Sequence, residues 1–332
     1  MRNLAIIGGG SWGTALAIVL APRFQATRLW VYEADLAERL RQSRINDVYL
    51  PSFEVPSNVD VTNDLQVALA NSDIVLSVMP SHLARSLYGQ MLPFLRESMV
   101  FVSATKGLEN GSLLRISEVI RQVVGERFEP RVAVLSGPTF AREVARLDPT
   151  ALVVASQDQE LCKCLQAAFS GPSFRLYTSQ DTIGVEIGGS IKNVVAIGAG
   201  VLAGMGMGHN ATAALITRGL AEMTRLAVAM GGRSSTLAGL AGLGDLVLTC
   251  TGELSRNRMV GMELAKGRKL EEIVGSMKMV AEGIKTTGAA KELAERHGVD
   301  MPITEQMHQV LYTGTSPAEA VRRLMVRTLK GE

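Results

Sequence analysis

The sequence predicts an α/β fold in which a doubly wound, mainly parallel sheet is followed by an all-helical C-terminal domain. Three observations support this fold class. A glycine-rich turn follows the first apolar segment, strand and helix patterns alternate from there on, and strand patterns stop near residue 180. Continuous runs of Val, Ile and Leu are typical of parallel strands that are buried on both faces.

The glycine-rich turn is the most specific local feature. The apolar run Asn3–Ile7 leads into Gly8-x-Gly10-x-x-Gly13, and helix-forming residues follow directly. Gly8 permits a tight turn, Gly10 lets the backbone approach a pyrophosphate, and Gly13 lets the helix pack on the strand. The N-terminus of such a helix attracts anions. We therefore expect a Rossmann-type fold that binds a nicotinamide or flavin dinucleotide, although a Gly-rich structural turn would show the same pattern.

The remaining elements follow from hydrophobic periodicity. Eight strands are predicted over Asn3–Ile7, Thr27–Tyr32, Val59–Thr62, Ile74–Val78, Met99–Ser103, Arg131–Leu135, Ala151–Ala155 and Phe174–Tyr177. Helices are predicted over Asp35–Ser43, Ser81–Gly89, Leu113–Val124, Gln159–Phe169, Ile191–Leu202, Ala211–Met230, Ser255–Lys266, Leu270–Ser276, Gly288–His297 and Ile303–Leu311. This pattern predicts a dinucleotide-binding domain over 1–185, a helical substrate and catalytic domain over 186–332, and a ligand site in the cleft between them.

Composition excludes several classes of protein. The chain has 332 residues, a formal net charge of +2 and 5% aromatic residues, so the sequence gives no reason to expect nucleic-acid binding. Three cysteines in so long a chain indicate reduced thiols, and their spacing predicts no metal site. The most apolar stretch, 194–208, is shorter than the roughly 20 residues of a spanning helix. We expect a buried helix there, and no membrane span.

An acidic residue at the end of the second strand bears on the choice of cofactor. Glu33 lies where a carboxylate accepts the ribose hydroxyl of NAD and repels the 2′-phosphate of NADP. It therefore favours NAD, although an exposed turn residue would look the same. Arg39 or Arg41 on the next helix could reach a phosphate, so NADP stays open.

Polar residues follow two further strands at their carboxyl ends, where open α/β sheets bind ligands. Lys106 and Gly107 follow the strand that ends at Ser103. Gly137 and Thr139 flank Pro138 after the next strand, where N–H groups near a helix start could hold an anion. The alternatives are a solvated loop lysine and an ordinary helix cap.

A lysine and an aspartate lie inside apolar runs of the helical domain. Lys192 interrupts an otherwise apolar helix, and Asp245 lies in a run bracketed by glycines. Buried lysine and aspartate require partners, so we expect these two to pair. Desolvation would lower the pKa of Lys192 and suit it to proton transfer near neutrality. A lysine whose head group reaches the surface is the alternative.

A dense group of hydrogen-bond donors opens a predicted helix at Ser255. Ser255, Arg256, Asn257 and Arg258 provide a helix cap, two guanidinium groups and an amide, which suit a phosphate. A capped and solvated helix end is the alternative. Together with the lysines, this group indicates hydride transfer to the carbonyl of a small phosphorylated substrate, with an ammonium group supplying the proton.

These motifs together resemble the bacterial NAD(P)-dependent glycerol-3-phosphate dehydrogenases, nearly from end to end. The resemblance rests on the segments 8–17, 46–51, 105–109, 136–141, 190–193, 240–246 and 255–257. It implies reversible interconversion of dihydroxyacetone phosphate and glycerol 3-phosphate, the precursor of phospholipids. It also implies a cytoplasmic location and is compatible with a homodimer.

The resemblance implies a role for each matching residue. Lys192 corresponds to the general acid and base. The implied substrate contacts are Lys106, Gly137, Thr139, Lys192, Asp245, Ser255, Arg256 and Asn257. The implied cofactor contacts are Ser11, Trp12, Tyr32, Glu33, Tyr49, Lys106, Ala141, Arg256, Val280 and Glu282, in addition to the glycines of the turn.

One departure from the family pattern concerns the cofactor. Many relatives carry His or Arg with Asp after the second strand, where this chain has Tyr32 and Glu33. The choice between NAD and NADP therefore stays open, with the carboxylate favouring NAD. Two other functions also remain as alternatives: a two-domain dehydrogenase of a hydroxy acid or sugar acid, and a non-catalytic dinucleotide sensor.

Overall fold

The computed structural model describes residues 1–277 and 281–328. The chain divides into two units, Met1–Glu186 and Ile187–Glu332. The first carries the sheet and the second is helical, so the predicted fold class is confirmed.

The first unit is built on an eight-stranded sheet with the order β10-β9-β8-β7-β6-β1-β2-β5. The strands are β1 (Asn3–Ile7), β2 (Ala26–Trp30), β3 (Ile45–Asn46), β4 (Leu50–Glu54), β5 (Val59–Thr62), β6 (Ile74–Ser77), β7 (Val100–Ser103), β8 (Arg131–Ser136), β9 (Thr150–Ala155) and β10 (Phe174–Ser179). Strands β3 and β4 form a separate antiparallel hairpin. All eight predicted strands are in the sheet. The hairpin was not predicted, because its strands are short and largely exposed.

Helices cover both faces of the sheet. They are α1 (Ser11–Leu20), α2 (Ala34–Ser43), α3 (Leu65–Leu69), α4 (Ala84–Met91), α5 (Ile116–Val124), α6 (Ala141–Ala145), α7 (Gln159–Phe169) and the start of α8 (Thr182–Gly204). Alternate residues of β1 enter different cores: Leu4 and Ile6 belong to one hydrophobic cluster, and Ala5 and Ile7 to the other. Strands buried on both faces explain the continuous apolar runs in the sequence.

Two strands at one edge depart from the parallel arrangement. Strand β9 pairs with β8 in the antiparallel sense, and β10 is parallel to β9. A parallel return requires a crossover of about a dozen residues or more, usually with a full helix. The connection between β8 and β9 contains only the five-residue helix α6, so the chain reverses there.

In its described part, the second unit contains helices and no strand. After α8 come α9 (His209–Ala229), α10 (Ser234–Leu237), a π-helical turn (Leu240–Gly244), α11 (Asp245–Thr251), α12 (Arg256–Ala265), α13 (Leu270–Ser276), α14 (Glu282–Arg296), α15 (Pro302–Tyr312) and α16 (Pro317–Met325). Helix α8 begins before the predicted start at Ile191, and α14 begins before the predicted start at Gly288.

Glycines bring the backbones of α8 and α12 into direct contact. A Cβ atom on Gly200 would lie 1.9 Å from the carbonyl oxygen of Arg258, and one on Gly261 would lie 1.9 Å from that of Ile197. Any side chain at either position would separate the helices. Helix α8 is long and apolar enough to cross a membrane, but 89% of its most apolar window is buried inside the protein, as in a core helix.

Candidate active site

The turn between β1 and α1 has the geometry that a dinucleotide pyrophosphate requires. Gly8 has a φ of +129°, and a Cβ there would lie 2.1 Å from the carbonyl oxygen of Val78. A Cβ on Gly13 would lie 1.8 Å from the carbonyl oxygen of Gly8. A Cβ on Gly10 would meet open space, so the backbone there is accessible to a ligand.

The start of α1 leaves donors without partners in the turn. Gly10 is the N-cap residue of this ten-residue helix and provides no side-chain acceptor for the N–H groups that follow. Ser11 and Trp12 are the first two helical residues, and the buried indole nitrogen of Trp12 has no hydrogen-bond partner. Exposed N–H groups at a helix N-terminus suit a pyrophosphate, so the residues present fit a bound dinucleotide.

Glu33 and Tyr49 form a half-buried pair at the end of β2. The Tyr49 hydroxyl donates a hydrogen bond of 2.7 Å to Glu33 Oε1. This bond and the partial burial of the ring raise the pKa of Tyr49 to about 12. Tyr32, the other residue expected here, is 79% exposed and contacts Trp30 edge-on.

The two arginines of α2 that could have reached a phosphate are paired with carboxylates. Arg39 donates to Asp47 at 3.0 Å and to Asp35 at 2.7 Å. Arg41 donates to Glu38, one turn earlier in the same helix. These ion pairs are exposed and individually weak, but they direct both guanidinium groups towards acidic partners.

Residues that follow β7 and β8 meet at the carboxyl ends of these adjacent parallel strands. The Lys106 ammonium donates to the carbonyl oxygen of Gly137 over 3.4 Å, and the Thr139 hydroxyl donates to the same oxygen over 3.2 Å. Gly137 has a φ of +151°, a conformation that favours glycine. Ala141 is the first residue of α6. The predicted group Lys106, Gly137 and Thr139 is therefore contiguous.

The second unit contains a buried cluster of Lys192, Asp245 and Thr249, which we call the lysine cluster. Lys192 on α8 is 4% exposed and Asp245 on α11 is fully buried. The Lys192 ammonium donates to Asp245 Oδ1, and to the Thr249 hydroxyl at 2.8 Å. The Thr249 hydroxyl in turn donates to the carbonyl oxygen of Asp245 at 2.6 Å. The predicted pairing of Lys192 with Asp245 is confirmed.

Sequence reasoning missed Thr249. It lies four residues after Asp245, on the same face of α11, and this spacing is the signal that could have identified it. Its neighbour Cys250 is also buried, and burial raises the pKa of that thiol to about 12. The thiol is therefore protonated at neutral pH, and the charges that act on it are those of Lys192, Asp245 and Arg258.

The donors predicted for a phosphate lie at the N-terminus of α12. Ser255 is the N-cap residue, and its hydroxyl accepts from the backbone N–H of Arg258 at 3.2 Å. Asn257 is buried, and its Oδ1 accepts from the N–H of Gly283 at 3.0 Å. Burial lowers the pKa of Arg256, whereas the nearby carboxylate of Glu282 raises it.

One segment thus contains the N-terminus of α12, the Ser255 hydroxyl, the Asn257 amide and the Arg256 guanidinium. It lies next to the first residue of α14, Glu282. Val280, expected as a cofactor contact, lies outside the described residues. Within the described ranges, no group of three or more His, Cys, Asp or Glu side chains has the arrangement of a metal site. All three cysteines are free thiols.

Two profiles of one enzyme family together match most of this chain. The profile of the NAD-dependent glycerol-3-phosphate dehydrogenase N-terminus matches residues 3–162, and the profile of the C-terminus of the same enzyme matches residues 181–322. The glycerol-3-phosphate dehydrogenase [NAD(P)+] of Koribacter versatilis is 57% identical over 98% of both chains. That of Syntrophotalea carbinolica is 52% identical over 99% of both chains.

A solved structure gives the same result. The crystal structure of glycerol-3-phosphate dehydrogenase from Coxiella burnetii superimposes with a TM-score of 0.94 at 41% identity. The match covers 98% of this chain and 99% of that one. Both units of the chain are therefore accounted for by a single, full-length similarity.

Proposed function

The chain belongs to the NAD-dependent glycerol-3-phosphate dehydrogenase family, and we propose from this premise that it interconverts dihydroxyacetone phosphate and glycerol 3-phosphate with a nicotinamide cofactor. The observation that carries the proposal is the lysine cluster. Its buried ammonium group is held by a carboxylate and a hydroxyl, in the same unit as the α12 N-terminus with its donors for a phosphate.

Lys192 acts as the general acid in the direction of reduction. It donates a proton to the carbonyl oxygen while a hydride adds to the carbonyl carbon, so the C=O group becomes CH–OH. Lys192 is left as a neutral amine and regains its proton from solvent. Asp245 holds the ammonium by charge and Thr249 by a hydrogen bond, which keeps the acid oriented in a region of low dielectric.

Substrate binding depends on the phosphate. Arg256, Ser255 and Asn257 provide the guanidinium, hydroxyl and amide groups, and the N–H groups at the start of α12 add to them. Lys106, Gly137 and Thr139 are the proposed substrate contacts of the first unit, and Glu282 and Val280 are proposed cofactor contacts of the second.

A nicotinamide dinucleotide, when bound, supplies or accepts the hydride. Gly8, Gly10 and Gly13 would hold its pyrophosphate together with Ser11 and Trp12, and Tyr32, Tyr49, Lys106 and Ala141 are further proposed contacts. Glu33 favours NAD over NADP because its carboxylate accepts ribose hydroxyls and repels a 2′-phosphate. The pairing of Arg39 and Arg41 with acidic side chains supports the same preference.

The product suggests a cellular role. Glycerol 3-phosphate forms the backbone of glycerophospholipids. We therefore propose that the enzyme is cytoplasmic and supplies glycerol 3-phosphate for phospholipid synthesis. A homodimeric assembly stays a prediction.

Absorbance of the reduced nicotinamide tests the proposal directly. The protein should oxidise NADH rapidly with dihydroxyacetone phosphate, more slowly with NADPH, and very poorly with unphosphorylated dihydroxyacetone. If folded protein that binds NADH turned over no dihydroxyacetone phosphate with either cofactor, the assignment would be wrong. Turnover of an unphosphorylated 2-oxo acid instead would favour a hydroxy-acid dehydrogenase.

A further inference from the structure

The loop of the β3–β4 hairpin is fixed to the glycine turn by a buried amide. Asn46 is fully buried, and its side-chain N–H groups donate to the carbonyl oxygen of Gly9 and to the Thr14 hydroxyl, both at 2.8 Å. The side-chain oxygen of Asn46 accepts from the backbone N–H of Tyr49 at 3.0 Å. The position of Tyr49 is therefore tied to the turn rather than to the surface around it.

From this fixed position, Tyr49 constrains Glu33. Its hydroxyl donates to Glu33 Oε1 at 2.7 Å, which leaves Oε2 to accept from other groups. With a pKa raised to about 12, the phenol stays protonated at neutral pH and always donates. A glutamate side chain loses rotamer entropy when it is immobilised, and here the immobilising contact is already present.

The same loop also pairs with a positive charge of α2. Asp47, two residues before Tyr49, accepts two hydrogen bonds from Arg39, at 3.0 and 3.3 Å. Arg39 is one of the two arginines of α2 that could otherwise offer a 2′-phosphate a counter-charge. The hairpin loop therefore fixes the Glu33 carboxylate through Tyr49 and forms an ion pair with Arg39 through Asp47.

We propose that Tyr49 is a specificity-determining residue that selects NAD over NADP by holding the Glu33 carboxylate in place. A glutamate that is free to rotate could move away from a 2′-phosphate and relieve the repulsion. A glutamate held by Tyr49 stays in place, so the 2′-phosphate of NADP is repelled by the carboxylate at full strength. A ribose hydroxyl of NAD can still donate a hydrogen bond to Oε2. Discrimination by repulsion requires that the repelling group cannot move. This inference rests on the proposed function for the binding of a dinucleotide at the glycine turn and for the preference of Glu33 for NAD.

Calorimetric titration of the full-length protein with NADH and NADPH tests this inference without turnover. The two dissociation constants define a preference ratio for wild type, Tyr49→Phe, Glu33→Ser and the double variant. In Tyr49→Phe we expect the preference for NADH to fall by about threefold to tenfold, as for loss of one hydrogen bond of ordinary strength. In the Glu33→Ser background, the same substitution should leave the ratio unchanged, because Tyr49 acts through Glu33.

Two further variants complete the test. Tyr177→Phe removes the hydroxyl of a half-exposed tyrosine on β10 and should leave both constants unchanged. Glu33→Gln keeps an acceptor for Tyr49 but removes the charge, so NADPH binding should tighten while NADH binding changes little. It also keeps the proposal testable if Tyr49→Phe fails to fold.

Three results would overturn the proposal. The first is that Tyr49→Phe weakens the binding of NADH and NADPH equally. The second is that Tyr49→Phe changes the preference ratio as much in the Glu33→Ser background as in wild type. The third is that the wild-type protein binds both cofactors equally. None of these bears on turnover of dihydroxyacetone phosphate, which tests the proposed function separately. Conversely, a protein that discriminates as described but does not reduce that substrate would contradict only the proposed function.

Discussion

The lysine cluster and the Glu33–Tyr49 pair are both built from a carboxylate held by a hydrogen-bond donor, but they differ in burial. Asp245 is fully buried and Lys192 is 4% exposed, whereas Glu33 and Tyr49 are both half-buried. Removing one partner of a buried ion pair leaves an uncompensated charge and costs about 3–5 kcal/mol. Changes to exposed or half-exposed polar pairs cost far less.

This contrast in burial shows how one chain can combine a fixed reaction with an adjustable cofactor preference. A buried ion pair with a hydroxyl attached has few alternative arrangements, so substitutions there affect both chemistry and folding. A half-buried pair can be altered with little effect on stability, so it can tune the preference between two cofactors that differ by a single phosphate. Substitutions in each cluster test this contrast.

The largest effect should come from Lys192→Ala. Loss of a general acid lowers kcat by at least about a hundredfold. The variant should also be less stable, by about 3–5 kcal/mol, because Asp245 is left buried without its cation. Stopped-flow measurement of NADH oxidation and denaturant unfolding would measure the two effects.

Lys266→Ala, at an exposed lysine of the same unit, is the matched control and should change neither quantity appreciably. NADH binding by Lys192→Ala should persist, since the glycine turn belongs to the other unit. Near-normal turnover in Lys192→Ala would contradict the catalytic assignment.

Arg256→Ala should come next. Its guanidinium is half-buried, and loss of a charge-assisted hydrogen bond to phosphate costs about 1.5–3 kcal/mol, or roughly ten- to hundredfold in kcat/KM. The loss should appear with dihydroxyacetone phosphate and be much smaller with dihydroxyacetone. Arg268→Ala, at an exposed arginine of the same unit, should affect neither substrate. An equal loss on both substrates would mean that Arg256 does not recognise the phosphate.

Thr249→Val tests a single hydrogen bond within the lysine cluster, because it removes the hydroxyl and keeps the shape of the side chain. We expect kcat to fall by about tenfold and the KM for substrate to change little, as for loss of one orienting hydrogen bond. The pH profile of kcat should also shift, since the hydroxyl contacts the ammonium directly. Thr249→Ser should restore most of the activity. A purely structural role would predict reduced stability with an unchanged pH profile.

Much of the fold follows from the sequence because the strands are buried on both faces. Strands β1 and β5 begin and end where the sequence predicts, since β1 is filled by buried apolar residues and β5 alternates buried valines with the exposed Asp60. Helix α8 was predicted to begin too late, because Gly188 and Gly189 suggest a break. In the structure, a Cβ on Gly188 would lie 2.6 Å from the carbonyl oxygen of Ala241, so this glycine serves close packing rather than a break.

In the candidate site, too, some contacts could be predicted from the sequence and others could not. The pairing of Lys192 with Asp245 could be predicted, because two isolated charges in apolar runs have few other partners. Asn46 could not be identified as a buried link, since a polar residue in a loop normally faces solvent. The Tyr49–Glu33 bond depends on the hairpin, whose two strands lack an apolar run in the sequence. The contacts of Asn46 and the Tyr49–Glu33 bond, unlike the Lys192–Asp245 pair, thus required the structure.

A third carboxylate extends the comparison, because it is buried without a directly bonded cation. Glu222 on α9 is 2% exposed and accepts hydrogen bonds from the backbone N–H groups of Ile303 and Thr304 at the start of α15. Burial raises its pKa to about 7, although these bonds and the charge of Arg225 act in the opposite direction. The native protein therefore holds this proton at pH values where the unfolded chain has lost it.

The sign of the resulting pH dependence follows from this shift. Because the folded pKa of Glu222 lies above the ordinary value of 4.5, its protonated form contributes stability below that value, and the contribution is lost as pH rises towards 7. The full effect is about 3 kcal/mol. Unfolding of Glu222→Gln should therefore lack this decline, so its free energy of unfolding relative to wild type should rise between pH 5 and pH 8. Glu292→Gln, at an exposed glutamate on α14, should follow the wild-type curve. Parallel curves for Glu222→Gln and wild type would show that the hydrogen bonds from Ile303 and Thr304 and the charge of Arg225 fully offset the effect of burial on the pKa of Glu222.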